Sequence, residues 1–380
     1  MTRSLLLTLT LVCLASANPY FDDDWRAQEM EEYLLQRTAE QQVIPLEDQT
    51  FNTDDQGIGQ VSGVDVDSNG GLYVFHRADR PWNSETYQPM TNILTDAAKV
   101  PINKDTILKV DAASGRIQSS FGKDMFNVPH GLKFDAHDNM WVTDVGRHQV
   151  LRFPKGTTTP DLVLGEKFVP GNDNAHFCKP TDVAIASNGD FFVSDGYCNS
   201  RVVKFSSSGQ VLTQWGTRRT SGDLTPFTLT IPHSITLIEE LDIVCVADRE
   251  NGRALCYNAG LKNANTTGNF NRTLIPQMDI GKVYAIYYSK AEQEVVAAGL
   301  LSDIPTMEEG LPFYPSRAFT YDLEGRLLNS WAYITPEVAK NGPSLIHDLC
   351  TSRDGQDFFL ADLDQQKVYK YSKKWPSIVG

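Results

Sequence analysis

Short stretches in which apolar and polar residues alternate recur along most of the chain. From about residue 57 onward, segments such as MWVTD and FFVSD follow polar turns such as HDN and SNG and precede a further strand such as VLRF. Alternation with a period of two residues, broken by turn residues about every 8–12 positions, is typical of β-strands joined by tight turns. The pattern therefore predicts an all-β protein.

The strand pattern itself repeats along the chain. Pro129 and Pro180 are 51 residues apart, Pro180 and Pro232 are 52 apart, and another 51 residues lead to Val283. Weaker copies occur before these in VSGVDVD and after them in IHDLC, which makes six units with longer insertions in the first and the fifth. Repeats of this length with four strands each are typical of β-propeller blades, whereas the rungs of a β-solenoid, the alternative, are shorter. We expect a six-bladed β-propeller with NHL-like repeats.

The start of the chain predicts a targeting segment. Residues 1–17, MTRSLLLTLTLVCLASA, combine a basic start, an apolar run and small residues at the end. This is the pattern of a secretory signal peptide, with an N-terminal signal anchor as the alternative. Residues 18–50 are then predicted as a polar leader and residues 51–376 as the propeller domain. No later stretch is long and apolar enough for a membrane span, so we expect a secreted protein of the secretory pathway lumen.

Charge and sequons add to this picture. The formal net charge of −14 disfavours nucleic acid as a partner. Asn265 and Asn271 each begin an Asn-X-Thr sequon in a polar stretch, which predicts a glycosylated surface loop.

The cysteines fit an oxidising compartment. Two pairs close in sequence each bracket a strand pair, so each is a plausible disulfide. The pairs are Cys178 with Cys198 and Cys245 with Cys256, and Cys350 is left over as a buried free thiol.

One position of the repeat carries the candidate chemistry. The second residues of the six units are, in chain order, Ser62, His130, Thr181, His233, Tyr284 and His347. In a closed ring of six, alternate blades lie about 120° apart, so the three histidines would converge on the central channel. Three imidazoles with an open fourth position are typical of a catalytic zinc site. Three unrelated turn histidines are the alternative.

Further side chains fall near this position. Arg77, Tyr197 and Arg249 each follow an inner strand, near one face of the ring, and together they suit an anionic substrate with a proton to be moved. Asp348 could bind a second ion or orient an imidazole, or be an ordinary turn acid. The other histidines fit no three-fold position and are predicted to be structural: His76, His137, His148 and His176.

A family resemblance follows from these motifs. VSGVDVD, VFHRAD, PHGLKFD, WVTDVGRHQV, HFCKPTDVA, VSDGYCNSR, PHS, CVADRENGR and HDL occur in this order over about residues 57–372. In this the chain resembles the lyase domain of the peptidylglycine α-amidating enzymes, peptidyl-α-hydroxyglycine α-amidating lyase. The resemblance implies a six-bladed propeller enzyme that cleaves peptides ending in α-hydroxyglycine to a peptide amide and glyoxylate.

The resemblance also implies specific ligands. It assigns zinc to His130, His233 and His347, and a structural calcium ion to the backbone carbonyls of Val64 and Leu132 and the carboxylate of Asp348. It pairs Cys178 with Cys198 and Cys245 with Cys256. It places Arg77, Tyr197 and Arg249 in the active site.

The chemistry implied by the resemblance is a proton-dependent collapse. Zinc would stabilise the alkoxide that develops from the hydroxyl group. Tyr197, with a pKa lowered by nearby positive charge, is the expected base, with a zinc-bound hydroxide as the alternative. Arg77 would hold the substrate carboxylate or support the tyrosinate.

The expected context is a stand-alone, monomeric lyase. No stretch is long enough for a copper monooxygenase, so a separate one would supply the hydroxyglycine peptides. Two other functions remain open: a non-catalytic NHL-type propeller that binds extracellular peptides or proteins, and a hydrolase of the lactonase-like propellers.

Overall fold

The protein folds into six four-stranded antiparallel sheets, arranged as the blades of a β-propeller, in a computed structural model. The structure describes residues 43–218, 222, 224–301, 306–308, 311–313, 316–332 and 344–373. The predicted signal peptide, most of the predicted leader and the last residues of the predicted domain lie outside these ranges. The predicted fold class and the number of blades are confirmed.

Each blade runs from an innermost strand at the channel to an outermost strand at the rim. The first three blades comprise Val61–Val66, Leu72–His76, Ile107–Val110 and Ile117–Phe121; then Pro129–Phe134, Met140–Asp144, Gln149–Phe153 and Leu162–Leu164; then Pro180–Ile185, Phe191–Asp195, Arg201–Phe205 and Val211–Trp215. The next two comprise Pro232–Ile238, Ile243–Asp248, Arg253–Asn258 and Phe270–Ile275; then Lys282–Ser289, Glu294–Leu300, Ser316–Tyr321 and Leu327–Trp331. The sixth comprises Ile346–Thr351, Asp357–Asp362, Lys367–Ser372 and, from the other end of the chain, Leu46–Glu47.

The sixth blade closes the ring with strands from both ends of the described chain. Leu46 pairs with Ser372 and Glu47 with Tyr371, and the amide of Asp48 donates to the carbonyl of Lys370 at 2.8 Å. The sheet structure therefore begins before the expected boundary at residue 51. Pairing the two ends of the described part of the chain in one blade covers the edge of the strand Lys367–Ser372.

The longest insertion of the described chain lies in the first blade, between Leu72–His76 and Ile107–Val110. It contains the one described α-helix, Asp96–Lys99, whose N-cap Thr95 accepts a hydrogen bond from the amide of Ala98. The other short elements among the described residues are two strand pairs and three 3-10 turns. The strand pairs are Thr217–Arg218 with Thr228–Leu229 and Thr306–Glu308 with Leu311–Phe313, and the turns are Glu239–Leu241, Arg249–Asn251 and Ala264–Thr266. No described helix has the length and apolar composition of a membrane-crossing segment.

The hydrophobic core lies between neighbouring blades. Cys245 of the fourth blade packs in one cluster with Ile286 and Phe319 of the fifth. Val64 of the first blade packs with Phe359 of the sixth. Each sheet is covered by a neighbouring blade on either side. The inner strands are therefore buried on both faces.

Both disulfides are formed. Cys178 and Cys198 join the segment before the third blade to the turn after its second strand. Cys245 and Cys256 face each other across neighbouring strands of the fourth blade. Cys350 is a buried free thiol, as the sequence predicts.

Candidate metal centre and active site

The second position of every blade lies in a β-bulge. In each innermost strand the pairing register shifts at this point, so that one residue, or two in the second blade, has no direct partner. The shifts lie between Val61 and Gly63, Pro129 and Leu132, Pro180 and Asp182, Pro232 and Ser234, Val283 and Ala285, and Ile346 and Asp348. Because a bulge bends its strand and re-aims its side chain, these six residues can point into the channel.

The bulges bring three histidines together. The imidazole rings of His130, His233 and His347 lie with their centroids 4.8 Å apart in every pairing. One nitrogen of each ring lies within 4.8 Å of the others, and all three residues are buried. The arrangement could hold a metal ion with three protein ligands.

Hydrogen bonds to the neighbouring blades orient the three rings. In each case Nδ1 donates to the carbonyl oxygen of the second-position residue of the next blade. The pairs are His130 with Thr181 at 2.8 Å, His233 with Tyr284 at 2.7 Å and His347 with Ser62 at 2.8 Å. A proton on Nδ1 leaves Nε2 as the free lone pair, which is the state that a metal ligand requires.

Burial keeps these rings neutral. It lowers the pKa of His347 to about 3, with the positive charge of Arg77 acting in the same direction. Burial, with the charge of His347 next, also lowers the pKa of His130 and of His233 well below the usual value. The cluster is therefore ready to bind a cation at neutral pH without first losing protons.

Tyr197 reaches this cluster from the turn after Phe191–Asp195. Its hydroxyl oxygen lies 3.0 Å from Nε2 of His130 and 3.2 Å from Nε2 of His233. The neighbouring Cys198 ties the turn to Cys178. Tyr197 thus brings its hydroxyl group within hydrogen-bonding distance of two candidate metal ligands.

The expected lowering of the pKa of Tyr197 is not found. Burial raises this pKa, and the opposing charges of Arg249 and Arg77 do not outweigh it. The sequence places positive charge nearby but does not reveal how far the phenol is withdrawn from water. In this structure Tyr197 retains its proton at neutral pH.

Arg77 offers a free donor beside this centre. Its guanidinium is buried and donates from Nε to the carbonyl of Pro129 at 3.1 Å and from Nη1 to Oε1 of Gln60 at 2.9 Å. Nη2 is buried with no hydrogen-bond partner among the described residues. Burial lowers the pKa of Arg77 to about 10, so it remains charged at neutral pH. A buried hydrogen-bond donor without a partner, on a positively charged side chain, favours the binding of an anionic oxygen.

Arg249 brings a second positive charge. It opens the 3-10 turn Arg249–Asn251, and its guanidinium lies 5.4 Å from the ring centroid of Tyr197 and 4.9 Å from that of Tyr284. Its Nε donates to Oε1 of Glu250 at 2.8 Å. Arg249 is thereby held against the phenol while part of its charge is balanced.

The sequence did not reveal two residues that organise Arg77. Trp82 lies in the first-blade insertion, with its ring 5.2 Å from the Arg77 guanidinium and 4.9 Å from the ring of Tyr197. Gln60 accepts from both Arg77 and the backbone amide of Trp82, the latter at 2.8 Å. No repeat signal could have found Trp82, because the insertion has no counterpart in the other blades.

The residues expected to bind calcium lie one or two positions after the second position of their innermost strands. Oδ2 of Asp348 accepts from the backbone amide of Val64 at 3.0 Å. Both carboxylate oxygens also lie 3.3 Å from Nζ of Lys133, the residue after Leu132. The site therefore already contains a cation of the chain itself, and the expected donor set does not fit calcium. The signal was present in HGLKF, where a charged residue stands on an inner strand.

The other predicted residues lie away from this centre. His76 and His148 are buried, His176 contacts Asp173 and Glu166, and His137 is exposed. The sequon residues Asn265 and Asn271 are both exposed.

Comparison with known proteins gives the family. An NHL repeat profile matches residues 177–205. The chain is 35% identical over 330 residues to peptidyl-alpha-hydroxyglycine alpha-amidating lyase 1 of Drosophila melanogaster, which covers 83% of this chain and 57% of that protein. It is 36% identical over 311 residues to a Caenorhabditis elegans protein named a probable peptidyl-alpha-hydroxyglycine alpha-amidating lyase, with 82% of each covered. It is 46% identical over 322 residues to the peptidylglycine alpha-amidating monooxygenase of Rattus norvegicus, over 83% of this chain and 30% of that one.

The extent of these matches varies. The chain spans little more than half of the Drosophila protein's length, 57%, and 30% of the rat protein's length. A solved structure of a candidate gluconolactonase, 11% identical, has a TM-score of 0.51 and covers 83% of this chain and 89% of that one, which shows a shared fold alone. The match over most of the nematode protein is the one that decides membership. The chain belongs to the peptidyl-α-hydroxyglycine α-amidating lyase family.

Proposed function

We propose that the protein cleaves peptides ending in α-hydroxyglycine to a peptide amide and glyoxylate, at a zinc ion held by His130, His233 and His347. The observation that carries the proposal is the hydroxyl of Tyr197, which lies 3.0 Å and 3.2 Å from two of the three free imidazole nitrogens. Zinc suits three neutral imidazoles and would supply Lewis-acid polarisation of the substrate hydroxyl group.

The substrate would be oriented by its carboxylate. Nη2 of Arg77 is buried and unpaired among the described residues, while Nε and Nη1 are already occupied by protein oxygens. The guanidinium is thus fixed in place before a ligand arrives, which favours tight and specific anion binding. Arg249 adds a second positive charge near Tyr197, 5.4 Å from its ring centroid.

The reaction requires a proton to pass from one end of the reacting group to the other. The carbon–nitrogen bond breaks, the hydroxyl oxygen becomes the aldehyde oxygen of glyoxylate, and the hydroxyl proton must end on the amide nitrogen. Before a metal is bound, burial raises the pKa of Tyr197 and favours the protonated phenol. We assign it the relay: the phenol gives its proton to the departing nitrogen and takes the hydroxyl proton in return. This replaces the expected role of a tyrosinate base.

Calcium receives no role in this proposal. The ammonium of Lys133 lies against both oxygens of Asp348, the carboxylate that calcium would need.

The biological setting follows from the chemistry of the substrate. A hydroxylating copper monooxygenase must produce the α-hydroxyglycine end, and the rat relative is named as an amidating monooxygenase. We further propose that the protein acts as a monomer in the secretory pathway lumen, including secretory granules, and carries glycans on Asn265 and Asn271. The two disulfides support an oxidising compartment, and both sequon asparagines are exposed.

The test measures glyoxylate release from a synthetic peptide with an α-hydroxyglycine end. Zinc-loaded protein should release glyoxylate, chelation should stop this and zinc should restore it. His233→Ala should lose bound zinc and activity together, whereas the exposed His137→Ala should change neither. Tyr197→Phe should retain zinc but lose about 10²–10⁴-fold in kcat.

The same assay can reject the proposal. Folded, zinc-loaded protein that releases glyoxylate no faster than the spontaneous reaction would leave a binding propeller as the better interpretation. An unaffected Tyr197→Phe variant would reject the relay while leaving the lyase activity intact.

A further inference from the structure

A lysine ammonium lies beside the three histidines, among buried carboxyl groups on the innermost strands. These groups belong to Asp348, Asp182 and Asp65, and we call them the carboxylate layer. Lys133, on Pro129–Phe134, has 9% of its side chain exposed, and Asp348 on the facing strand has 8%. Nζ of Lys133 lies 3.3 Å from each carboxylate oxygen of Asp348. Since Asp348 also accepts from the amide of Val64, this one carboxylate joins the second, sixth and first blades.

The other carboxylates of this layer are satisfied by protein donors. Asp182 accepts from the amides of Val183 at 2.9 Å and Ile235 at 3.2 Å and from the hydroxyl of Ser234 at 3.1 Å. Hydrogen bonds and one internal cation therefore stabilise the buried carboxyl groups of this layer.

Asp65 is satisfied in the same way. It accepts from the amide of Phe134 at 2.7 Å and from the hydroxyl of Tyr287 at 3.2 Å. Burial disfavours the charged form of Lys133, but Asp348, Asp182 and Asp65 outweigh it and raise its pKa. The lysine is a cation at this place.

A calcium ion does not fit beside this ammonium. Calcium takes about 6–8 oxygen ligands at about 2.3–2.6 Å. Both oxygens of Asp348 face Nζ of Lys133, so a divalent ion on the same carboxylate would contact a fixed positive charge. The repulsion between them would be little screened, because the site is buried.

We propose that the Lys133 ammonium is the cation that braces this channel, in the place where the family resemblance puts calcium, and that the ring of this protein therefore needs no calcium. Lys133 connects the second and the sixth blade across the channel, as a shared ion would. The proposal concerns the architecture and stands whether or not the proposed reaction occurs.

The first experiment uses the natural chain. The zinc-loaded protein is dialysed against calcium-free buffer of fixed zinc concentration, with or without excess calcium chloride, and then analysed for metal content and thermal unfolding. No bound calcium and a Tm that agrees within about 1 °C between the two buffers are expected. One tightly bound calcium per chain, with a lower Tm after its removal, would overturn the proposal.

The second experiment removes the ammonium. Lys133→Ser leaves the buried carboxylate of Asp348 without a positive charge beside it, and we expect calcium to bind there and raise Tm by about 5 °C or more. Lys104→Ser, which removes an exposed lysine paired with Asp79, is the control and should remain insensitive to calcium. A folded Lys133→Ser variant that binds no calcium would reject the idea that the ammonium replaces the ion. If that variant does not fold, the natural chain decides the question.

Discussion

Nδ1 of His130 lies 2.8 Å from the carbonyl oxygen of Thr181, the residue at the equivalent position of the next blade. The same bond recurs twice around the ring, so the three blades without a histidine at this position each supply an acceptor. Odd and even blades thus have complementary roles. Backbone carbonyls, rather than side chains, set the tautomer of all three candidate ligands.

Zinc uptake should release few protons. The rings are already neutral at neutral pH, because burial lowers the pKa of His347 to about 3 and that of the other two well below the usual value. Calorimetric titration with zinc in buffers of different ionisation enthalpy should therefore give close to zero protons released. Release of about one proton per zinc would mean that Tyr197 or a zinc-bound water ionises on metal binding, and either result would contradict the proton relay.

The role of Arg77 can be isolated with two substrates. Arg77→Lys should lower kcat/KM by about 10–100-fold on a substrate with a free C-terminal carboxylate, because the free Nη2 donor is lost. A substrate in which this carboxylate is replaced by an amide should be poor for the natural enzyme and no poorer for the variant. Equal losses on both substrates would contradict carboxylate binding by Arg77.

The two disulfides should differ in their effect on activity. Removing either one by substitution to Ala should cost about 3 kcal/mol of unfolding free energy in the chain-entropy model. Cys198 adjoins Tyr197, so loss of its bond to Cys178 should also lower kcat by loosening the phenol. Loss of the bond between Cys245 and Cys256, which joins two strands within one blade, should leave kcat unchanged. The measurement is denaturant unfolding beside initial rates, and unchanged kcat in both variants would contradict the positioning role.

Much of the site was predictable because it obeys the repeat. The second position of each blade recurs at near-constant spacing, so the convergence of His130, His233 and His347 could be inferred before any coordinates. Residues that break the repeat could not be placed this way. Trp82 belongs to an insertion found in one blade, and the Leu46–Glu47 strand is too short for a periodic pattern.

The pKa of Tyr197 and the partner of Lys133 could not be predicted from the sequence either. Positive charge near Tyr197 is evident from Arg77 and Arg249, but the pKa of the phenol depends on burial, which is a property of the folded channel. The sequence shows that Lys133 is a charged residue on an inner strand. Only the folded ring shows that its ammonium contacts Asp348 of another blade.

The structural histidines should make the protein acid-sensitive. His148 accepts from the backbone amide of Lys179 through Nδ1 at 3.0 Å, and its Nε2 lies 3.0 Å from the carbonyl of Asn92, so protonation would remove the first bond. Burial lowers its pKa to about 4 in the folded protein, against about 6.5 unfolded. Between these two pH values the ring is protonated in the unfolded chain but not in the folded one. The contribution of His148 to the unfolding free energy is therefore complete above about pH 6.5 and decreases as pH falls, by about 2 kcal/mol at pH 5.

Urea unfolding of His148→Gln at about pH 7 and about pH 5 tests this sign. The variant should be less stable than the natural protein at the higher pH, because an acceptor for Lys179 is lost, but its stability should fall less between the two values. His137→Gln, at an exposed histidine, should keep the natural slope. The three clustered histidines contribute equally to all three proteins, so the difference in slope reports on His148 alone. A His148→Gln slope as steep as that of the natural chain would show that the protein protonates this ring without cost.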